Sequence, residues 1–162
     1  MGSAASEMLM LFEKLAYEAA LRGLDKQEGL LEELRARTGV LLAATSLAAS
    51  FLGQQAFQDP DSSALAVIAL GAFVTSIGAG VFILIPNDSL HFSEAGSGLY
   101  QNLYAVRSDM TEVYRRLGYE LDRAWKSNNA TIVRLIRAYK IAAGALVIET
   151  ISLATLLAGT IV

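Results

Sequence analysis

The stretch 62-SSALAVIALGAFVTSIGAGVFILIPN-87 contains 26 residues and no charged side chain. A second uncharged run of 21 residues, from Thr38 to Gln58, precedes it, and the polar turn 59-DPDS-62 lies at their junction. About 20 apolar residues suffice to cross the hydrocarbon core of a bilayer. Neither run has the polar stripe of period 3.6 that marks a helix with one wet face. The two runs therefore predict a transmembrane hairpin.

A third apolar segment, 141–162, follows three basic residues spaced by three: Arg134, Arg137 and Lys140. As a helix its 22 residues would be about 33 Å long, which is enough to span a bilayer. A helix lying along the membrane interface is the alternative. The sequence predicts an all-α membrane protein, with a transmembrane helical hairpin plus a third transmembrane helix and with cytoplasmic amphipathic helices.

The orientation follows from the basic residues. All 13 lie in 1–37 or 88–140, whereas the hairpin turn carries Asp59 and Asp61. Because cytoplasmic loops are enriched in Lys and Arg, the N-terminus is predicted to be cytoplasmic and the turn to lie outside. The predicted regions are a cytoplasmic N-terminal helix (1–37), the hairpin (38–87), a cytoplasmic amphipathic helix (88–130) and the third transmembrane helix (131–162).

Both cytoplasmic helices are expected to be interrupted. Gly23 and Gly29 each cost a helix about 1 kcal/mol relative to Ala, so a bend or break is expected between Leu21 and Leu30. The run 127-SNNAT-131 predicts a second break, with the third helix starting at Asn129 or Thr131 as its N-cap.

The second cytoplasmic segment carries a heptad-like seam that needs a partner helix. Its apolar residues recur at spacings of three and four: Leu99, Leu103, Val106, Met110, Val113, Leu117 and Leu121. Small residues are spaced by four in the second apolar run, at Ala72, Ser76 and Gly80. Because small residues let membrane helices approach closely, they predict a tight hairpin, contacts between the subunits of a homo-oligomer, or both.

Few residues point to catalysis. The chain has one histidine, His91, in the loop 86-PNDSLHFSEAG-96, where it is predicted to be a surface or interfacial residue, and it has no cysteine. Disulfides and thiolate metal sites are therefore excluded. There is no phosphate-binding glycine loop and no HExxH motif. The chain is predicted not to be an enzyme, with no metal, no cofactor and no nucleic-acid polymer as partner.

The basic clusters are the candidate ligand sites. Arg35 and Arg37 lie where the first apolar run begins, and Arg115 and Arg116 lie on the same predicted cytoplasmic side. Guanidinium groups suit bidentate recognition of phosphate, so these four residues are predicted to bind a ligand or lipid headgroups. The alternative is that they only set the topology.

One acid, Glu149, lies about 12 Å along the third apolar segment. An ionised carboxylate there costs at least about 2.5 kcal/mol, and none of the three apolar segments contains Lys or Arg, so Glu149 must be protonated or face water. Thr45, Ser46, Thr75 and Ser76 are its candidate hydrogen-bond partners. Glu149, Thr75 and Ser76 are predicted to line a pore or the bundle centre, and a neutral Glu149 bonded to a hydroxyl is the alternative.

The order of features along the chain is specific. The first predicted span begins with basic residues, in 33-ELRARTGVLLAATSLAASFLG-53, and the second span ends in Pro86. An amphipathic stretch follows, 97-SGLYQNLYAVRSDMTEVYRRLGYEL-121, and the third span again begins with basic residues, in 134-RLIRAYKIAAGAL-146. This layout resembles small membrane effectors of bacterial antiphage defence, namely the transmembrane effectors of pyrimidine-cyclase (Pycsar) systems over nearly the whole chain. The two-span SLATT effectors are similar in the first half. The resemblance implies a dormant inner-membrane protein that responds to a cyclic nucleotide, oligomerises and permeabilises the membrane.

Three functions follow as expectations. The first is an antiphage effector that depolarises the bacterial inner membrane. The second is a non-catalytic scaffold or accessory subunit that binds a partner through its cytoplasmic helices. The third is a small proton-coupled transporter that uses Glu149.

Overall fold

The computed structural model describes residues 2–56, 63–86, 90 and 110–159. These residues form three helices and no strand, so the predicted all-α class is confirmed for them. The helices are α1 (Gly2–Ala56), α2 (Ser63–Leu84) and α3 (Met110–Gly159). The chain divides into two compact units, the first made of Met1–Leu31 and Asn87–Ile132 and the second of Glu32–Pro86 and Val133–Val162.

In the first unit, α1 and α3 pack side by side and parallel. The rings of Tyr17 and Tyr114 lie 5.7 Å apart between centroids. Further along both helices, Gly23 leaves room for the indole of Trp125, whose Cδ1 would lie 3.5 Å from a Cβ at that glycine. Gln27 Nε2 then donates a hydrogen bond of 3.1 Å to the carbonyl oxygen of Trp125. The contacts ascend together along α1 and α3, which establishes the parallel direction.

The expected break between residues 21 and 30 was wrong, because α1 is continuous there. Leu24, Gln27 and Leu31 are buried at spacings of three and four, so one face of this segment is fixed by tertiary packing. Burying a leucine side chain contributes about 1.5–3 kcal/mol, which exceeds the cost of about 1 kcal/mol for each glycine.

The break predicted at 127–131 was also wrong, and α3 runs through it. Asn128 is fully buried, and the face it occupies continues with buried Ile132 and Leu135. Asparagine costs a helix interior less than about 0.7 kcal/mol, so packing of this face outweighs the low local propensity.

In the second unit, α2 runs antiparallel to α1. Gly80 lies against Leu42, and Ser76, earlier in α2, meets Thr45, later in α1. The tight hairpin packing predicted from the small residues is therefore present at these positions.

Helix α2 is antiparallel to α3 as well. Near the middle of α2, Ser76 reaches the carbonyl oxygen of Ala142. Earlier in α2 and later in α3, a buried apolar cluster is formed by Ala66, Ala69, Leu153 and Leu156. At the other end, α2 stops at Leu84, directly before Ile85 and Pro86, because proline disfavours helix in the residue before it. The prediction that Pro86 ends this segment is confirmed.

Candidate functional site in the polar interior of the second unit

The interior of the second unit contains polar side chains, and its surface is rich in large apolar ones. Among its described residues, five polar ones are buried: Thr38, Thr45, Ser76, Glu149 and Ser152. The exposed large apolar residues on the same helices include Val40, Leu47, Val67, Ile68, Leu70, Val74, Val81, Phe82, Ile141, Val147, Ile148 and Ile151. Exposing such side chains to water is unfavourable by about 25 cal/mol per Å², whereas acyl chains solvate them. Polar residues in the interior and apolar residues on the surface are typical of helices packed within a bilayer.

Two helices in the described residues are long and apolar enough to cross a membrane, Ala64–Leu84 and Met110–Ala158. The apolar part of the second follows Lys140. These helices correspond to the second and third predicted spans. The first predicted span is helical as far as Ala56. Its crossing of the membrane stays a prediction, and so does the cytoplasmic location of residues 1–37 and 88–130.

A hydrogen-bonded node joins the three helices of this unit. Thr45 Oγ1 and Ser76 Oγ are 3.1 Å apart, and Ser76 Oγ donates to the carbonyl oxygen of Ala142 at 3.2 Å. Since the single hydroxyl proton of Ser76 is used on Ala142, Thr45 is the donor to Ser76. Each such bond contributes about 0.5–1.5 kcal/mol, and the two together fix the register of α1, α2 and α3.

Glu149 lies in the same interior. Its side chain is 1% exposed, and within the described residues neither carboxyl oxygen has a hydrogen-bond partner. The alternative of a bond to Thr45, Ser46, Thr75 or Ser76 is absent in the described residues. The hydroxyls of Thr45 and Ser76 bond instead to each other and to Ala142. Ala142 is two helical turns before Glu149, about 10 Å along α3. On the other side, Leu153 of the apolar cluster follows one turn later.

Thr75 is placed differently from Ser76 and Glu149. It is exposed on α2, and its hydroxyl donates to the carbonyl oxygen of Gly71 at 2.7 Å. A Cβ added at Gly71 or Gly78 would meet nothing within 4 Å. The structure therefore brings Ser76 and Glu149 into one interior and leaves Thr75 on an open face.

The first pair of predicted ligand-binding arginines lies in the second unit. Arg37 forms an ion pair of 2.5 Å with Glu33, one helical turn earlier, and both side chains are exposed. Arg35 is half-buried, and its Nε is a buried atom without a hydrogen-bond partner in the described part of the chain.

The second pair lies in the first unit and shares one carboxylate. Arg116 Nε donates to Glu112 Oε1 at 2.8 Å, and Arg115 Nη2 pairs with Glu112 Oε2. The hydrogen bond from Arg116, together with the charges of both arginines, holds the pKa of Glu112 below its ordinary value, although burial opposes this. A phosphate ligand would therefore have to compete with Glu112 for these guanidinium groups.

Several sequence predictions lie outside the described residues: the turn 59–62, His91, and the seam positions Leu99, Leu103 and Val106. The rest of the seam is described. Met110 is exposed, whereas Val113, Leu117 and Leu121 are half-buried in the first unit.

Four polar residues that are buried in the described part of the chain were not predicted from the sequence: Gln27, Thr38, Asn128 and Ser152. Asn128 had a signal, because it lies seven residues after Leu121 and seven before Leu135, on the continuation of the seam. The sequence gives no such signal for Thr38. Its hydroxyl donates to the carbonyl oxygen of Leu34 in its own helix at 2.7 Å, and every residue has such a carbonyl group.

Among the described residues, no group of His, Asp and Glu side chains could hold a metal ion. The arrangement offers a buried acid, a hydroxyl node and arginine clusters. A comparison of the chain with known protein families, curated proteins and solved structures found no match.

Proposed function

We propose that this chain is a non-catalytic effector of antiphage defence, which assembles as a homo-oligomer in the bacterial inner membrane and depolarises it on a nucleotide signal. The observation that carries the proposal is Glu149, whose carboxyl group is buried without a hydrogen-bond partner in the described residues. The apolar surface around it supports insertion into lipid. The missing partner supports a second arrangement of the helices, in which the carboxyl group meets water or another subunit.

The energetics favour a protein with two accessible states. A buried polar group without a partner costs about 1–3 kcal/mol, and an arrangement in which Glu149 faces a water-filled lumen recovers that cost. This difference corresponds to a factor of about 5–150 in an equilibrium constant. A signal that binds the second arrangement more tightly by a similar amount is then enough to shift the population.

The arginine clusters support a phosphate-bearing signal. Arg115 and Arg116 are already oriented toward an anion, the carboxylate of Glu112. A nucleotide phosphate would replace that carboxylate with a group that accepts bidentate hydrogen bonds. The nature of the nucleotide comes from the resemblance to Pycsar effectors.

The test is the membrane potential of bacterial cells that express the chain inducibly, followed with a potential-sensitive dye, with and without a cyclic nucleotide. Glu149→Leu has a side chain of similar size and no polar group to satisfy, so the closed arrangement gains about 1–3 kcal/mol and depolarisation should be lost. Glu149→Gln keeps a buried polar group without a hydrogen-bond partner, so this variant should retain much of the depolarisation. Glu32→Gln, which changes an exposed acid of α1, is the matched control and should behave as the original chain.

Two results would overturn the proposal. One is full depolarisation by Glu149→Leu at an equal amount of inserted protein. The other is proton-coupled efflux in vesicles that Glu149→Gln abolishes, without any leak of other ions, which is the behaviour of a transporter.

A second candidate function is a scaffold, and a separate observation favours it. The start of α1 exposes a patch of large apolar residues, each 48–61% exposed: Met8, Leu9, Leu11, Phe12 and Leu15. Contiguous apolar patches of this kind mark sites of protein interaction. A scaffold would be inert when expressed alone and would lose a defined cytoplasmic partner in the Phe12→Ser variant, with the membrane potential unchanged throughout.

A further inference from the structure

The apolar surface of the second unit ends at a group of cations. On α3 the side chains of Arg134, Arg137 and Lys140 are exposed. The exposed residues that follow are uncharged and mostly apolar, with Thr150 and Thr155 as the polar ones, and Ile141 and Val147 are each 57% exposed. The surface of this helix therefore changes from cationic to apolar within one residue, between Lys140 and Ile141.

Helix α1 changes in the same way at nearly the same level. Ser76 contacts both Thr45 and Ala142, so these two residues mark one level of the bundle. Arg37 precedes Thr45 by eight residues and Arg134 precedes Ala142 by eight, which places both about 12 Å from that level on the same side. Between Arg37 and Ser50 the exposed large residues of α1 are apolar, beginning with Val40.

Together the two helices place five cations at one end of the second unit, a set we call the basic belt: Arg35, Arg37, Arg134, Arg137 and Lys140. The acids of the unit at this end are Glu32 and Glu33. Within the described residues, Arg37 is the belt residue that forms an ion pair. Arg35 has a buried Nε without a partner. The belt thus has a surplus of positive charge.

We propose that the basic belt binds the phosphate headgroup of an anionic glycerophospholipid, whose acyl chains lie along the exposed apolar residues of α3 from Ile141 onward. The surplus charge complements a phosphodiester, and guanidinium groups hold phosphate in bidentate geometry. The adjoining apolar surface decides between ligands, because a soluble phosphate compound would use the charges alone. Arg137 and Lys140 lie three and six residues nearer to the bundle centre than Arg134, and such long side chains extend toward the headgroups.

This inference requires membrane insertion but not depolarisation, so it goes beyond the proposed function. The experiment titrates the purified full-length chain in detergent with phosphatidylglycerol, phosphatidylcholine or inorganic phosphate, and counts bound lipid by native mass spectrometry. A basic residue near an anionic surface changes affinity about fivefold. The Arg134→Gln, Arg137→Gln, Lys140→Gln triple variant should therefore lose about 100-fold in affinity for phosphatidylglycerol.

The chain offers a matched control in the first unit. Arg22, Lys26 and Arg123 are exposed cations, and changing all three to Gln removes the same charge away from the belt. This control should bind phosphatidylglycerol as the original chain does. The charge-retaining variant Arg134→Lys, Arg137→Lys should lose less affinity than the triple Gln variant, because Lys keeps the charge but not the bidentate geometry. Helicity measured by circular dichroism verifies that each variant is folded.

Three outcomes would overturn the inference. The first is equal binding of phosphatidylglycerol and phosphatidylcholine, and the second is an equal loss in the belt and control variants. The third is complete displacement of the lipid by inorganic phosphate at millimolar concentration, which would make the belt a site for a free anion.

Discussion

Replacing Gly80 with Ala tests the close approach of α1 and α2 directly. A Cβ at this position would lie 2.6 Å from Leu42 Cδ2 and 2.9 Å from Leu42 Cγ, whereas carbon atoms in contact are about 3.5–4.0 Å apart. Either Leu42 or the helix has to move by about 1 Å. Overpacking of this size costs about 1–3 kcal/mol, and in a bilayer no hydrophobic gain offsets it, because lipid is as apolar as the added methyl group.

The same helix provides the control. Gly78→Ala makes the same change in backbone propensity, and its added methyl group meets nothing within 4 Å. The difference between the two variants therefore isolates packing against Leu42. The free energy of unfolding is measured by titrating the chain from mild detergent into sodium dodecyl sulfate while following helicity by circular dichroism.

A double variant identifies the contact. Leu42→Ala removes the side chain that the new methyl group would strike, so Leu42→Ala with Gly80→Ala should be more stable than the sum of the two single effects predicts. If Gly80→Ala matched Gly78→Ala within about 0.5 kcal/mol, or if the two changes were simply additive, the close packing of α2 on α1 would be refuted.

Two further predictions concern the hydroxyl node and the first unit. Ser76→Ala removes both bonds of the node and leaves the buried hydroxyl of Thr45 without an acceptor, so it should lower the free energy of unfolding by about 1–3 kcal/mol. The control Ser50→Ala, at an exposed residue bonded only to Ser46 of its own helix, should change it by less than about 0.5 kcal/mol, and equal effects would contradict the node. Because the pKa of Glu112 is lowered in the folded chain, its stabilising contribution is present above the unfolded value of about pH 4.3 and is lost as the pH falls through the folded pKa. Thermal unfolding between pH 7 and pH 3 should therefore show a smaller acid loss in Glu112→Gln, and an unchanged loss would show that the two arginines do not act through this carboxylate.

The parts of the fold that the sequence predicted correctly depend on local chemistry. The end of α2 before Pro86 follows from the geometry of the proline ring, which acts within one residue. The long apolar helices could be predicted because the absence of charged residues is read directly from the sequence. The errors at Gly23 and at 127–131 have a different origin: helix propensities of less than about 1 kcal/mol were outweighed by contacts between distant segments. The bond from Gln27 to the carbonyl of Trp125 joins residues 98 positions apart, which no local window reveals.

The candidate site was predicted in part for the same reason. Glu149 was identifiable because an acid in an apolar run is rare. The choice between Thr75 and Ser76 was not, since adjacent residues differ by about 100° around a helix and only the position of the neighbouring helices decides which one is buried. The acceptor of the node, the carbonyl oxygen of Ala142, has no signature in a sequence, because every residue has the same group.

The alternative of a neutral Glu149 bonded to a hydroxyl is not realised in the described residues, and a bond to Thr45 or Ser76 would disrupt contacts that the structure has. The protons of Thr45 and Ser76 are both used within the node, so a bond from Ser76 to Glu149 would leave the carbonyl oxygen of Ala142 without this donor. Moving α3 by the two turns that separate Glu149 from Ala142 would also displace Leu153 from the apolar cluster on α2. Both adjustments therefore give up existing contacts in exchange for one hydrogen bond. Under the proposed function, water or a second chain would relieve the buried carboxyl group, which is how the proposal relates the interior of one bundle to assembly in the membrane.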